Sequence, residues 1–146
     1  MSKRIAACIA LLAAGAAAAA WAQAPIALDS AVYVERLNGD NVRSLEPATR
    51  LSRGDRVVTV VSWQRLGGSA GSGHFTLVNP LPRAIAYQAS ARDSEEVSVD
   101  GARTWGSIGT LRIGTRLATP EDVSHVRWRL PARAGSGRIA YSGIVR

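Results

Sequence analysis

The stretch Ser98-Val-Asp-Gly-Ala-Arg-Thr-Trp105 places an acid, a glycine and a tryptophan within eight residues. Residues of these types can hold a cation, move a proton or turn the chain. The rest of the sequence offers little to complete a metal or proton-transfer site. Glu95 and Glu96 are adjacent, so a strand points them to opposite faces and they make a poor acid–base pair. The only histidines are His74 and His125. The single cysteine, Cys8, lies in the N-terminal apolar run, and the only methionine is Met1, so a soft-metal site in the domain has no ligands. No Asp-x-Asp-x-Asp-Gly loop for calcium appears, and Asn38-Gly-Asp-Asn41 is more simply a turn. No Gly-x-Ser-x-Gly elbow is present. The glycine-rich run 67–73 leads into a strand, where a phosphate loop requires a helix. These residues predict no enzyme, no cofactor and no bound metal.

The turn explains the stretch best. Val97 and Val99 alternate with Ser98 as in a strand, and Asp100-Gly101 supplies two residues that tolerate positive φ. Trp105 then begins a return strand, its ring covering the turn or entering the core. Asparagine suits the same backbone, so Asp100→Asn is expected to be nearly silent. The stretch also resembles the Asp-box, S-x-D-x-G-x-T-W, of sialidases and other β-propellers. Ser98, Asp100, Thr104 and Trp105 match it, and Ala102 stands where that family has glycine. The resemblance implies a hairpin device distant from catalysis. One copy in a chain this short excludes a propeller.

The elements around the turn read as strands. Predicted strands are 31–37, 56–66, 74–79, 84–90, 95–99, 104–113, 123–130 and 138–146. In Arg56-Val-Val-Thr-Val-Val-Ser-Trp-Gln-Arg-Leu66 both faces are apolar at the centre, as in a strand interior to a sheet. In 123–130, Val126, Trp128 and Leu130 share one face, and His125, Arg127 and Arg129 share the other. Those three basic residues form the candidate interaction face; Asp100, Gly101 and Trp105 form the structural turn. Gly, Pro, Asn and Asp punctuate the strands, and no stretch of helical periodicity appears. The pattern predicts an all-β antiparallel sandwich of roughly seven to nine strands, with Trp128 in its core.

Four segments in order resemble Domain of Unknown Function 11, a repeat domain of bacterial cell surfaces. They are 54–67 (GDRVVTVVSWQRLG), 79–90 (NPLPRAIAYQAS), 98–105, and 122–130 (DVSHVRWRL). Gly54, Asp55, Val57, Val61 and Gly67 match its first strand signature. Arg65 replaces its usual Asn, Thr59 its usual aromatic, and Asn79 its usual Asp. The resemblance implies an immunoglobulin-like sandwich in an exported protein, and implies no activity.

The N-terminus predicts the route. Lys3 and Arg4 precede an apolar run, Ile5 to Trp21, and Ala22-Gln-Ala24 follows. Charge, apolar run and small-residue site in that order make a secretory signal peptide over residues 1–24. Cleavage after Ala24 leaves residues 25–146 as a single domain without cysteine, Cys8 having gone with the peptide, and no membrane span. It lowers the formal charge from +7 to +5, with every remaining basic residue an arginine. Arginine forks fit carboxylates and phosphates, although a modest positive charge also simply aids solubility. Nucleic acid is excluded as a partner by the compartment. The leading expectation is an exported structural or protein-interaction module of the bacterial envelope, periplasmic or extracellular, whose partner is a protein or an envelope polymer. A carbohydrate- or anionic-polymer-binding module is the alternative, and a small hydrolase the third. Buried tryptophans favour the first, an exposed tryptophan in a polar concavity the second, and a pocket joining an acid to a histidine the third.

Overall fold

The computed structural model describes residues 26–67, 72–90 and 95–146. The signal-peptide reading of residues 1–24, Cys8 within it, and most of the glycine-rich run at 68–71 lie outside the described residues.

The chain is all-β and antiparallel. Among the described residues ten strands follow one another: β1 (Ile26–Leu37), β2 (Arg43–Pro47), β3 (Arg56–Arg65), β4 (His74–Pro80), β5 (Ile85–Ser90), β6 (Glu95–Ser98), β7 (Arg112–Ile113), β8 (Arg116–Leu117), β9 (His125–Pro131) and β10 (Ser136–Val145). A 3-10 turn, Pro120–Asp122, precedes β9. Five strands form one sheet in the order β2-β1-β3-β10-β5, and three form the facing sheet, β4-β9-β6. The short β7 and β8 make a separate hairpin.

The alternation of apolar residues decides what lies between the sheets. Val57, Thr59, Val61 and Trp63 of β3 point inward and are buried. Ile139 and Tyr141 of β10 and Tyr87 of β5 extend this layer, and Leu77, Val97, Val126, Trp128 and Leu130 face it from the second sheet. Trp128 has no exposure. Its ring tilts onto Tyr141 at 6.1 Å, and its indole N–H donates to Ser90 Oγ at 3.1 Å. Asn79 Nδ2 donates to the Tyr141 hydroxyl at 3.0 Å, giving that half-buried oxygen a partner. Trp63 meets Phe75 edge-on at 5.1 Å. Its ring lies across β10 at Gly137, where a Cβ would come 2.8 Å from the ring, so only glycine leaves the space.

The two sheets differ in width. The main core engages β3, β10 and β5, and takes from β1 only Ile26. A second, smaller cluster of Val34, Val57 and Ile85 lies under Ala48 and Val145. Between the two clusters, Leu28 and Val32 stay 53% and 39% exposed, although they share a face with the buried Val34.

Three expectations need correction. Residues 104–113 do not form a strand. Beyond one bridge, Val97 to Gly106, they run as turns until the two residues of β7, because Asp100 and Ser98 draw the backbone amides of this segment inward. Trp105 therefore does not begin a return strand. The first strand begins at Ile26, five residues earlier than the predicted Ala31, and Arg43–Pro47 is a strand that the pattern did not indicate. Its residues Arg-Ser-Leu-Glu-Pro lack β-branching, and they pair because the turn after β1 lays them antiparallel to it.

Candidate functional site

Asp100 is the hub of a closed turn. Its Oδ1 accepts from the Ser98 hydroxyl at 2.8 Å, the Thr104 amide at 2.9 Å and the Arg103 amide at 3.1 Å. Its Oδ2 accepts from the Thr104 hydroxyl at 2.7 Å. These donors, the Thr104 amide foremost, hold the carboxyl well below the usual carboxylate range. Ser98, fully buried, accepts from the Ala102 amide at 2.9 Å. Gly101 and Ala102 both take positive φ, 77° and 70°, to bring those amides round. Ser124 ties the turn to β9: its hydroxyl donates to the Ser98 carbonyl at 3.1 Å and accepts from the Gly101 amide at 3.1 Å.

Three donors on Oδ1 and the Thr104 hydroxyl on Oδ2 commit the carboxylate to the turn. Among the described residues no three of His, Cys, Asp and Glu gather as metal ligands. The same donors revise the expectation for Asp100→Asn. An amide keeps the backbone but gives up charge-assisted bonds, which are about twice as strong as neutral ones. Asp100→Asn should therefore lower the melting temperature measurably. The wild-type contribution should be fully present above the ordinary carboxylate value of 3.8 and fade as pH falls through the depressed folded value, so the variant's deficit shrinks in acid. Gly101→Val should be worse, since it forces a β-branched residue to φ 77°. Thermal unfolding from pH 3 to 7 reads both; chelator-sensitive wild-type stability would contradict the turn role.

The turn delivers Trp105 onto the outer face of the three-stranded sheet. There the Arg127 guanidinium lies 4.5 Å from the centre of the Trp105 ring, and His125 meets that ring edge-on at 6.5 Å. Arg127 Nε and Nη2 both donate to Glu96 Oε2, at 2.8 and 2.7 Å. Two sets of residues that lie apart in the chain, the turn and the basic face, are thus one constellation. Strand register explains it: Glu96 stands opposite Arg127, and Ser98 opposite His125. The arrangement holds side chains rather than presenting them. Glu96 neutralises Arg127, the half-buried Trp105 spends its ring on that cation, and only Arg129, exposed beside Thr76, makes no hydrogen bond or ion pair among the described residues.

Glu95 points the other way, inward beside Val97. It enters a cleft of about 290 Å³ between β5 and β6, bounded by Tyr87, Ser90, Val97, Gly106 and Ile108. Its Oε2 is sealed from solvent and has no hydrogen-bond partner. Burial pushes its carboxyl up to about 7, against a smaller opposing pull from the Trp128 indole. Val97, two residues on, carried the signal for its inward direction. Neither histidine lines this cleft among the described residues, so the acid–histidine pairing that hydrolysis would need is not assembled there.

A third feature lies at the sheet's other end. Beyond Tyr33, the outer edge of β1 has no partner strand among the described residues. Ala48 closes the pairing by donating its amide to the Val32 carbonyl at 3.0 Å. That bond shows which way Val32 presents its backbone. In an antiparallel strand alternate residues share that direction, so Ile26, Leu28 and Ser30 also turn their N–H and C=O groups outward. On the opposite face from Leu28, a shallow trough of about 680 Å³ runs between the cross-strand rows Ala27–Gln64–Ser136 and Asp29–Ser62–Arg138. It has no aromatic platform for a sugar, because the Trp63 ring is turned into the core.

Comparison with known proteins adds no relative: no family model matches the chain, and neither a curated protein nor a solved structure does.

Proposed function

We propose that this chain is an exported, non-enzymatic protein-interaction module of the bacterial envelope, an immunoglobulin-like sandwich that takes up an extended strand of a partner along the N-terminal half of β1. The observation that carries this is the coincidence of a backbone edge at Ile26–Ser30, without a partner strand among the described residues, with the solvent-exposed Leu28 and Val32. Main-chain bonds along such an edge supply affinity, and alternate side chains supply selectivity. The burial of Trp63 and Trp128 weighs toward this reading, as does the engagement of Trp105 with Arg127. A sugar-binding surface would leave a ring free, and an anion-binding one would leave Arg127 unpaired. The signal-peptide reading of residues 1–24 supports a partner outside the cytoplasm.

A photo-reactive residue tests this when placed at Leu28 or at Arg129 in cells that export the chain. The Leu28 probe should yield adducts that contain protein, and the Arg129 probe should not. Adducts confined to Arg129, or glycan adducts at Leu28, would overturn the reading.

A further inference from the structure

We infer that the strand received by β1 is β1 of a second copy, paired antiparallel about a two-fold axis at Leu28. This rests on the reading of the β1 edge as the docking element and names its occupant.

The free stretch sets the register. Ala48 already occupies the Val32 carbonyl, so among the described residues pairing is open from Ile26 to Ser30, and Leu28 is its centre. Leu28 is also one of the residues whose N–H and C=O face outward. An antiparallel pair about Leu28 therefore sets Leu28 against its own copy, and Ile26 against Ser30 in both directions. Every outward donor and acceptor in the stretch meets a partner, about six main-chain hydrogen bonds in all. Each copy's Ala48 then lies opposite a position outside the paired stretch, so the two β2 strands flank the junction without meeting it.

The side chains suit the same register. The only charge in the stretch is Asp29. Pairing about Leu28 sets Asp29 across from Ala27, whereas an axis at Asp29 would oppose two carboxylates, which is destabilising. On the inner face Leu28 of one copy meets Leu28 of the other, and both leave solvent. Apart from Asp29, this edge also lacks the usual guards. Ile26-Ala-Leu-Asp-Ser-Ala-Val32 has no lysine and no proline, and its register with β3 runs without a bulge. Sheet edges left flat and unguarded pair with another strand, and the strand of matching length and polarity available at equal concentration is this one. The product is a continuous sheet with the order β5-β10-β3-β1 in each half, joined β1 to β1.

The test uses protein purified from cells that express and export the full chain. Light scattering coupled to size exclusion should give twice the chain mass for the wild type. Ser30→Pro removes one outward N–H and no bond to β3, and proline is tolerated on an edge strand. Leu28→Lys installs an edge guard. Both variants should keep the wild-type melting profile of the monomer and weaken self-association by about tenfold or more. Leu28→Cys should form an intermolecular disulfide on oxidation, because its copy lies directly across the ladder within disulfide reach; Leu45→Cys, also exposed, should not. A wild-type monomer, or a dimer that survives Ser30→Pro and leaves Leu28→Cys unlinked, would overturn the self-pairing. If the Leu28 photo-probe then labels a different protein, the interaction-module reading stands and only its occupant is wrong. If it labels no protein, both fail.

Discussion

Trp128→Ala should remove about 3–5 kcal/mol of unfolding free energy, the cost of emptying a fully buried indole site. Three losses add in the same direction. The ring's apolar surface leaves the centre of the core, its tilted contact with Tyr141 at 6.1 Å disappears, and the indole N–H no longer reaches Ser90. A domain of this size is stable by about 5–15 kcal/mol, so one substitution consumes about a fifth of that margin or more. Arg129, the next residue but on the opposite face, supplies the internal control. Its side chain is exposed and without a hydrogen bond or ion pair among the described residues, so Arg129→Ala should stay within about half a kcal/mol of wild type. Urea unfolding of both variants measures the contrast. Equal effects would mean that β9 is not held in the register that buries Val126, Trp128 and Leu130.

Glu95→Gln should abolish most of the loss of stability that the wild type shows between mildly acidic and mildly alkaline pH. The Glu95 carboxyl rises from 4.5 to about 7 in the folded protein because half of its surface, and all of Oε2, has left water. Below 4.5 both folded and unfolded chains hold the proton. Between 4.5 and about 7 the unfolded chain releases it and the folded chain keeps it, so stability falls as pH rises and the loss is complete above the folded value. At full weight the gap is worth about 3.4 kcal/mol. The carboxyl remains half exposed, and solvent screening brings the expected effect to about 1–2 kcal/mol. Glutamine fits the same volume without a charge. The variant should therefore match wild type near pH 4.5, exceed it by about 1–2 kcal/mol at pH 8, and show a flatter profile between. Denaturant unfolding at several pH values measures this, and a parallel displacement of the two profiles would show that another group titrates.

The sequence by itself determined the class of fold and the inside of the sheets. Strand periodicity is local: Val57, Val61 and Trp63, or Val126, Trp128 and Leu130, must share a face wherever the strand lies, and an apolar face must be covered. The opposition of Glu95 to Glu96 followed from the same period of two, as did the outward set His125, Arg127 and Arg129. The turn at Asp100-Gly101 was legible from the residue types, but the two positive φ values fall on Gly101 and Ala102, while Asp100 serves the turn through its carboxylate.

Only the tertiary structure decided what those faces meet. Trp105 belongs to an irregular turn and has no periodicity to follow. Its place above Arg127 depends on Ser124, just before β9, holding the turn that leaves β6. The inward direction of Glu95 was readable, but its cost was not. That depends on β5 closing over it while offering Oε2 no donor. The strand Arg43–Pro47 carries no pattern of its own and exists because β1 offers it a ladder. The exposure of Leu28 and Val32 is the furthest from the sequence. By alternation they belong with the buried Val34, and they stay in solvent because the facing sheet has three strands where theirs has five. The relative width of two sheets is set by pairings between distant segments, and no stretch of the chain encodes it alone.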